Sequence, residues 1–296
     1  MNNSLQLSDE VLKKAKLIQT KARFLVNDSF SGEYASAFKG RGIEFEEVRN
    51  YRYGDDVRSI DWKVSARLGK PFIKTYKDER ELTLFLIVDV SASALFTSGN
   101  KTKEEVIAEV AALLSYAALN NNDRIGLIIF SDEIEHFIPP KRGRSHIWRI
   151  IRDILSFKAN SKKTNINNAL EFFSQIRKKK AIAFVISDFM DKGFEKNFSI
   201  LGRKHDLTAI CIRDKFELSL PNLGFLRVKD LETGEMRIIE TKKHKLKSQF
   251  EVEQQDNIQK LSQICQEAKA GFISIESSEE YFDQIIHFFN KKKVKR

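Results

Sequence analysis

The chain has 296 residues, 42% of them hydrophobic and 31% charged, and its 51 basic and 41 acidic side chains give a net charge of +10. This is ordinary globular composition, which argues against disorder, and with only 4 Pro and 13 Gly no long flexible linker is expected. The length suits one main domain plus an appendage.

Apolar runs such as 84–88 fall far below the roughly 20 residues that a membrane-spanning helix needs. The N-terminus Met1-Asn2-Asn3-Ser4 is polar and lacks a secretory pattern, so a cytoplasmic protein is expected. Cys211 and Cys265 have no paired-ligand spacing and read as reduced core residues, with no zinc site. The last six residues, Lys291-Lys292-Lys293-Val294-Lys295-Arg296, form a basic tail. It reads as a solvated end, or as a contact for nucleic acid, anionic lipid or an acidic partner.

In chain order, residues 8–25 predict a helix. Ser8 is its N-cap, and Val11, Leu12, Ala15, Ile18, Ala22 and Leu25 recur at helical spacing. Residues 27–42 are rich in Gly, Ser and Asn, with a turn at Gly40-Arg41-Gly42, and 43–80 are dense in charge and aromatics with little periodicity. Residues 1–80 are therefore read as the appendage, a small α+β unit. After residue 80, apolar strands at 82–88, 124–130, 181–187, 207–212 and 271–275 alternate with helices at 103–119, 144–157, 165–178, 195–204, 242–269 and 279–290. An edge strand is expected at 134–138, and a hairpin pairs 225–230 with 235–240 around Glu232-Thr233-Gly234. Unbroken apolar strands alternating with helices predict an α/β fold over 81–290, a doubly wound, mainly parallel sheet covered on both faces.

In such sheets ligands bind at the carboxyl ends of the strands. Asp89 stands at one such end, and Asp89-Val90-Ser91-Ala92-Ser93 supplies a carboxylate and two hydroxyls at alternate positions. Thr164 stands just before a helix, and Asp188 ends the strand 181–187. Asp89, Ser91, Ser93, Thr164 and Asp188 thus deliver oxygens from three loops to one sheet edge. Hard oxygens with little negative charge suit Mg²⁺, with Mn²⁺ as a possible substitute. Taken singly, each of these residues also serves as a cap or turn former.

This pattern resembles the metal-ion-dependent adhesion site of von Willebrand factor A domains. The resemblance implies that Ser91, Ser93 and Thr164 touch the metal through hydroxyls, with Asp89 and Asp188 often acting through water. The third motif is commonly Asp-Gly, whereas this chain has Ser187-Asp188-Phe189, which keeps the metal position and leaves the shape of that loop open. A narrower resemblance rests on Gly42-Ile43-Glu44-Phe45, Arg49-Asn50-Tyr51, Gly54-Asp55-Asp56-Val57-Arg58-Ser59-Ile60-Asp61-Trp62, Ser65-Ala66-Arg67, Asp123-Arg124-Ile125-Gly126-Leu127 and Pro139-Pro140-Lys141-Arg142-Gly143. In these it is similar to the bacterial domain-of-unknown-function-58 family, whose members are von Willebrand factor A-like. That likeness implies a MoxR-type AAA+ ATPase as partner in chaperone-like maturation of other complexes.

The Gly54–Trp62 segment is read as scaffolding rather than a docking surface. Arg49, Arg52, Arg58 and Arg67 would pair with Asp55, Asp56 and Asp61, and Trp62 would plug the sheet. A binding role is expected rather than catalysis. His136, His146, His205, His244 and His287 belong to no metal motif, and there is no phosphate loop, Gly-x-Ser-x-Gly elbow or Cys–His arrangement. A metal built in mainly by neutral hydroxyls stays electrophilic, so its open position would take a partner's Glu or Asp. The alternatives are a nucleic-acid-binding protein that uses basic segments such as Arg177-Lys178-Lys179-Lys180, and a metal-dependent hydrolase.

Overall fold

The computed structural model describes residues 8–26, 28–38, 43–78, 82–99, 101–161, 163–229, 235–242, 244–277 and 281–294. Two helices, α1 (Asp9–Leu25) and α2 (Asp28–Phe38), precede an antiparallel pair, β1 (Ile43–Asn50) and β2 (Phe72–Asp78), which brackets the short α3 (Trp62–Leu68). The chain then runs β3 (Thr83–Asp89), α4 (Lys103–Asn120), β4 (Arg124–Phe130), β5 (Ile134–Lys141), α5 (Arg144–Ser156), α6 (Ile166–Ile176) and β6 (Ile182–Ser187). It continues with α7 (Glu195–Lys204), β7 (Asp206–Arg213), α8 (Lys215–Leu218), β8 (Phe225–Lys229), β9 (Met236–Glu240), α9 (His244–Glu267), β10 (Gly271–Glu276) and α10 (Phe282–Val294).

Six strands form one sheet in the order β10-β7-β6-β3-β4-β5, parallel throughout except for β5, which runs antiparallel at the edge. The expected doubly wound α/β architecture is therefore present. The chain enters this sheet at β3, moves outward through β4 to β5, and returns to the other side of β3 with β6. The winding thus reverses between β3 and β6, which is where ligands collect in sheets of this kind.

Burial explains the apolar strands. Every residue of β3 and β6 is buried, because alternate side chains enter two separate cores. Leu84, Leu86 and Val88 face a cluster that includes residues of α1, α2, α4, α5 and α10, whereas Phe85 and Ile87 face one that includes residues of α6, α7 and α9. Both cysteines are free and buried in the second cluster, as expected. Among the described residues no helix is long and apolar enough to cross a membrane.

The N-terminal region is organised differently from its reading as an appendage. The side chain of Ser8 caps α1 by accepting from Val11 N–H at 3.2 Å, as expected, and the helix buries Ala15, Ile18 and Ala22 in the main core. The stretch read only as Gly-, Ser- and Asn-rich contains α2. Its Phe30, Tyr34 and Phe38 recur every four residues and meet Phe289 of α10 at ring distances of 5.6, 5.9 and 5.8 Å. Both helices therefore belong to the covering of the main sheet, while β1, α3 and β2 pack on one another as a small unit. The turn expected at residues 40–42 lies outside the described residues.

That unit corrects two expectations about the segment Gly54–Trp62. Trp62 does not plug a sheet; it is 70% exposed. Of the arginines read as an ion network, Arg49 pairs in fork geometry with Asp55, both bonds at 2.8 Å. Asp61 instead caps α3 through Lys63 N–H and Val64 N–H and pairs with Lys74 at 3.2 Å. Asp56 likewise serves as a cap, accepting from Arg58 N–H at 2.9 Å.

Gly126 has a steric reason within the Asp123–Leu127 motif. A Cβ there would stand 2.8 Å from Phe85 Cε1, closer than such atoms pack, and 3.1 Å from Pro140 Cγ, a tight contact. In the same motif Asp123 is buried, accepting from Leu82 N–H at 3.0 Å and from the Tyr34 hydroxyl at 3.2 Å. The strands β8 and β9 pair as expected and leave Phe225, Met236 and Ile238 exposed, while the turn Glu232-Thr233-Gly234 lies outside the described residues.

Candidate metal centre

β3 ends at Asp89, opposite Phe130 of β4, and Val90 N–H then donates to Phe130 O at 2.9 Å, which closes the strand and turns the chain. The Asp89 carboxylate folds back over this turn: Ser91 N–H donates to its Oδ1 at 2.9 Å. A single 3-10 turn, Ala92–Leu95, follows and sets Ser91 Oγ 3.1 Å from Ser93 Oγ. Across the switch point, Ser187 Oγ at the end of β6 donates to Asp89 Oδ2 at 2.6 Å. Ser93 also hydrogen-bonds the next residue, Asp188, whose carboxylate lies close enough to Asp89 to repel it.

Four of the five expected residues, Asp89, Ser91, Ser93 and Asp188, thus meet at one place. Thr164 reaches the same edge by another route. Asn165 N–H donates to Ser131 O just past β4 at 2.9 Å, and Ile166 N–H donates to Asp191 Oδ2 in the loop after β6 at 2.8 Å. These bonds hold the 164–166 turn between the ends of the strands that flank β3. The Asn165 side chain caps α6 by accepting from Asn168 N–H at 2.9 Å. A cavity of about 480 Å³, bordered by Val11, Val90, Ala94 and Ile107, opens beside Asp89, the one residue of the five that lines it.

The loop after β6 answers the question its sequence left open. Phe189 takes φ +55°, the left-handed conformation for which the commoner Gly is suited. A side chain there costs about 1 kcal/mol or more. Burial against Phe194, with ring centroids 5.8 Å apart, offsets it. The turn keeps its shape without glycine.

The two carboxylates differ in their surroundings. Burial, and then the charge of Asp188, push the Asp89 carboxyl up to about 7, against the bonds from Ser187 and Ser91. Burial acts on Asp188 in the same direction, but Lys103 and the hydrogen bonds from Ser93, Lys103 and Met190 N–H outweigh it and hold the group below its ordinary range. The Lys103 ammonium stands 3.1 Å from Asp188 Oδ2 and 2.8 Å from Glu217 Oε1. Arg213 Nε donates to the Asp188 backbone carbonyl at 3.3 Å.

Sequence reasoning missed Ser187, Lys103, Arg213 and Glu217. For Lys103 a signal existed. It occupies the first position of α4, inside the Thr102–Glu105 capping box, where a cation faces the positive end of the helix dipole.

Among the described residues no group of three or more His, Cys, Asp or Glu side chains could hold a metal. Any ion here would depend on hydroxyls, and the donors present fit one. They are hard oxygens of two carboxylates and two serines, with Thr164 at the same edge, a set suited to Mg²⁺ that keeps some of its waters. Asp89 is buried next to a second acid, and among the described residues no cation pairs with it.

Residues 47–260 match the family described as "Protein of unknown function DUF58", well over half of the chain. The chain belongs to this family. The uncharacterized protein Mb1516 of Mycobacterium bovis is 27% identical over 209 residues, 70% of this chain and 66% of that protein. The chain therefore spans just under two thirds of that relative's length. Among solved structures, an aerotolerance-related membrane protein from Bacteroides fragilis aligns at TM-score 0.48 and 13% identity, covering 73% of this chain and all of that one. The SpRpn10 VWA domain aligns at 0.42 and 13%, covering 69% and 93%. What fixes the fold of this DUF58 chain is its own strand order and the single antiparallel edge.

Proposed function

We propose that this DUF58 protein is a metal-dependent protein-interaction module, which binds a partner's carboxylate through Mg²⁺ held by Asp89, Ser91, Ser93, Thr164 and Asp188. The observation that carries this reading is the convergence of Asp89, Ser91, Ser93 and Asp188 at the reversal between β3 and β6. When bound, the ion would supply an electrophilic position for an acidic side chain. The chain's own residues orient that position: Ser187 fixes Asp89, the 3-10 turn fixes both serines, and Lys103 holds Asp188. Binding rather than turnover is favoured because Cys211, whose Sγ donates to Asp188 O at 3.5 Å, is buried with its thiol pushed up to about 11, and among the described residues no histidine contacts the cluster.

The partner we infer, from the resemblance in the family motifs, is a MoxR-type AAA+ ATPase, with an acidic protein ligand and a chaperone-like task. The test is capture of the purified ATPase by the full chain in Mg²⁺ or in EDTA, with Asp89→Ala as the site variant. Capture confined to Mg²⁺ and lost in Asp89→Ala supports the reading; equal capture in EDTA overturns it.

A second reading has one observation of its own. The segment from Arg52 to Lys70 exposes Arg52, Arg58, Lys63, Arg67 and Lys70 together with Tyr53 and Trp62, the mixture of cations and stacking surfaces that binds single-stranded nucleic acid. That reading requires affinity for an oligonucleotide that falls steeply with salt and ignores EDTA.

A further inference from the structure

We propose that Lys103 is a resident counter-cation of the candidate metal centre, which holds Asp188 while no divalent ion is bound and weakens the binding of that ion; this rests on the metal-dependent reading above. The lysine is in an unfavourable place for its own helix, since the first turn of α4 repels a cation. It is also 2% exposed, and an ammonium is buried at that depth only where acids compensate it. Among the described residues it is the one cation paired with a carboxylate of the cluster, 3.1 Å from Asp188 Oδ2. Its helix therefore gains nothing from it, and the site does.

Lys103 has a second, firmly built partner. Glu217 Oε1 lies 2.8 Å from its ammonium, while Glu217 Oε2 accepts from Asp214 N–H at 2.8 Å. Asp214 is anchored in turn by the hydroxyls of Ser98 and Ser277, the latter at 3.2 Å. An ion that took Asp188 would leave Lys103 on Glu217, without stranding a buried ammonium. Ion and ammonium would still lie on neighbouring carboxylates and repel each other. The charge of Lys103 thus opposes the metal, and Glu217 limits that opposition by drawing the ammonium away.

Two substitutions should move affinity in opposite directions. Lys103→Met removes the repelling charge, and Glu217→Gln keeps an oxygen for the Asp214 cap while leaving Lys103 with Asp188 alone. The measurement is titration of the full chain with Mn²⁺, reading free ion by electron paramagnetic resonance, with Asp89→Asn as the site control. Lys103→Met should bind Mn²⁺ about tenfold tighter or more, and Glu217→Gln several-fold more weakly, than the wild type. Should Lys103→Met fail to fold, the loss in Glu217→Gln carries the test. If the wild type binds Mn²⁺ and neither variant changes the affinity, the role of Lys103 is overturned while the metal reading stands. If neither the wild type nor Lys103→Met binds Mn²⁺ at millimolar concentration, the metal reading falls and this inference with it.

Discussion

The hydroxyl of Ser187 donates to Asp89 Oδ2 at 2.6 Å, so a single hydrogen bond spans the ends of β6 and β3 where the winding of the sheet reverses. Ser187 also accepts from Phe189 N–H at 3.1 Å, so the same side chain shapes the left-handed turn beyond it. Ser187→Ala should cost about 1 to 3 kcal/mol, the range for a hydrogen bond lost from a buried charged group, measured by urea denaturation. A change within error would show that the bond contributes nothing net.

Asp89 should make stability depend on pH in a direction unusual for a carboxylate. Its folded pKa is raised to about 7 from 3.8, so between those values the folded chain holds a proton that the unfolded chain has released. Stability from this group is present below pH 3.8 and is lost as pH rises through 7. In EDTA, the wild type should therefore gain stability relative to Asp89→Asn as pH falls from 7 toward 4. A flat difference between the two melting curves would contradict the shift.

His205 works the other way in an overlapping window. It is buried against Phe173, with ring centroids 4.9 Å apart, and neither ring nitrogen has a hydrogen-bond partner among the described residues. Burial, then the charges of Lys204, Arg177 and Lys180, lower its pKa from 6.5 to about 4. The unfolded chain therefore takes up the proton first, and stability falls as pH drops from 6.5 to 4. Replacing His205 by Leu should remove that part of the acid sensitivity, visible as a melting temperature that declines less over this interval than the wild type's.

Gly126→Ala tests the packing of the centre of the sheet. The added methyl would meet the ring of Phe85 at 2.8 Å and Pro140 at 3.1 Å, so strand β4 or the ring must shift. A destabilisation of about 1 to 3 kcal/mol is expected from overpacking, and a neutral result would mean that Phe85 has room to turn.

Tyr53 and Trp62 are both exposed, Tyr53 fully and Trp62 over most of its surface. Tyr53→Ala and Trp62→Ala should change stability by no more than about 0.5 kcal/mol, as is usual for surface positions. A larger loss for Trp62→Ala would restore the packing role expected of it from sequence.

The sheet and most of its helices were legible because β3, β4, β6 and β7 are unbroken apolar runs that only a sheet buried on both faces explains. Asp89, Ser91, Ser93 and Asp188 could be picked out because each follows such a run at a strand's carboxyl end or lies within the turn there. What escaped depended on long-range partners. The apolar stripe of α2 is three rings diluted by Ser, Gly and Glu, and it becomes a helix only against Phe289. Lys103 is one lysine among many until the chain brings it beside Asp188, 85 positions away. Residue type alone points Trp62 to the interior, whereas its helix is capped and held through Asp61 and Ser65.

The prolines of β5 have a bearing on assembly. Pro139 and Pro140 lie in the antiparallel strand at the rim of the sheet, and neither nitrogen carries a hydrogen to donate. A neighbouring molecule that tried to lengthen the sheet from this side would find its ladder interrupted at once, a known safeguard against runaway polymerisation.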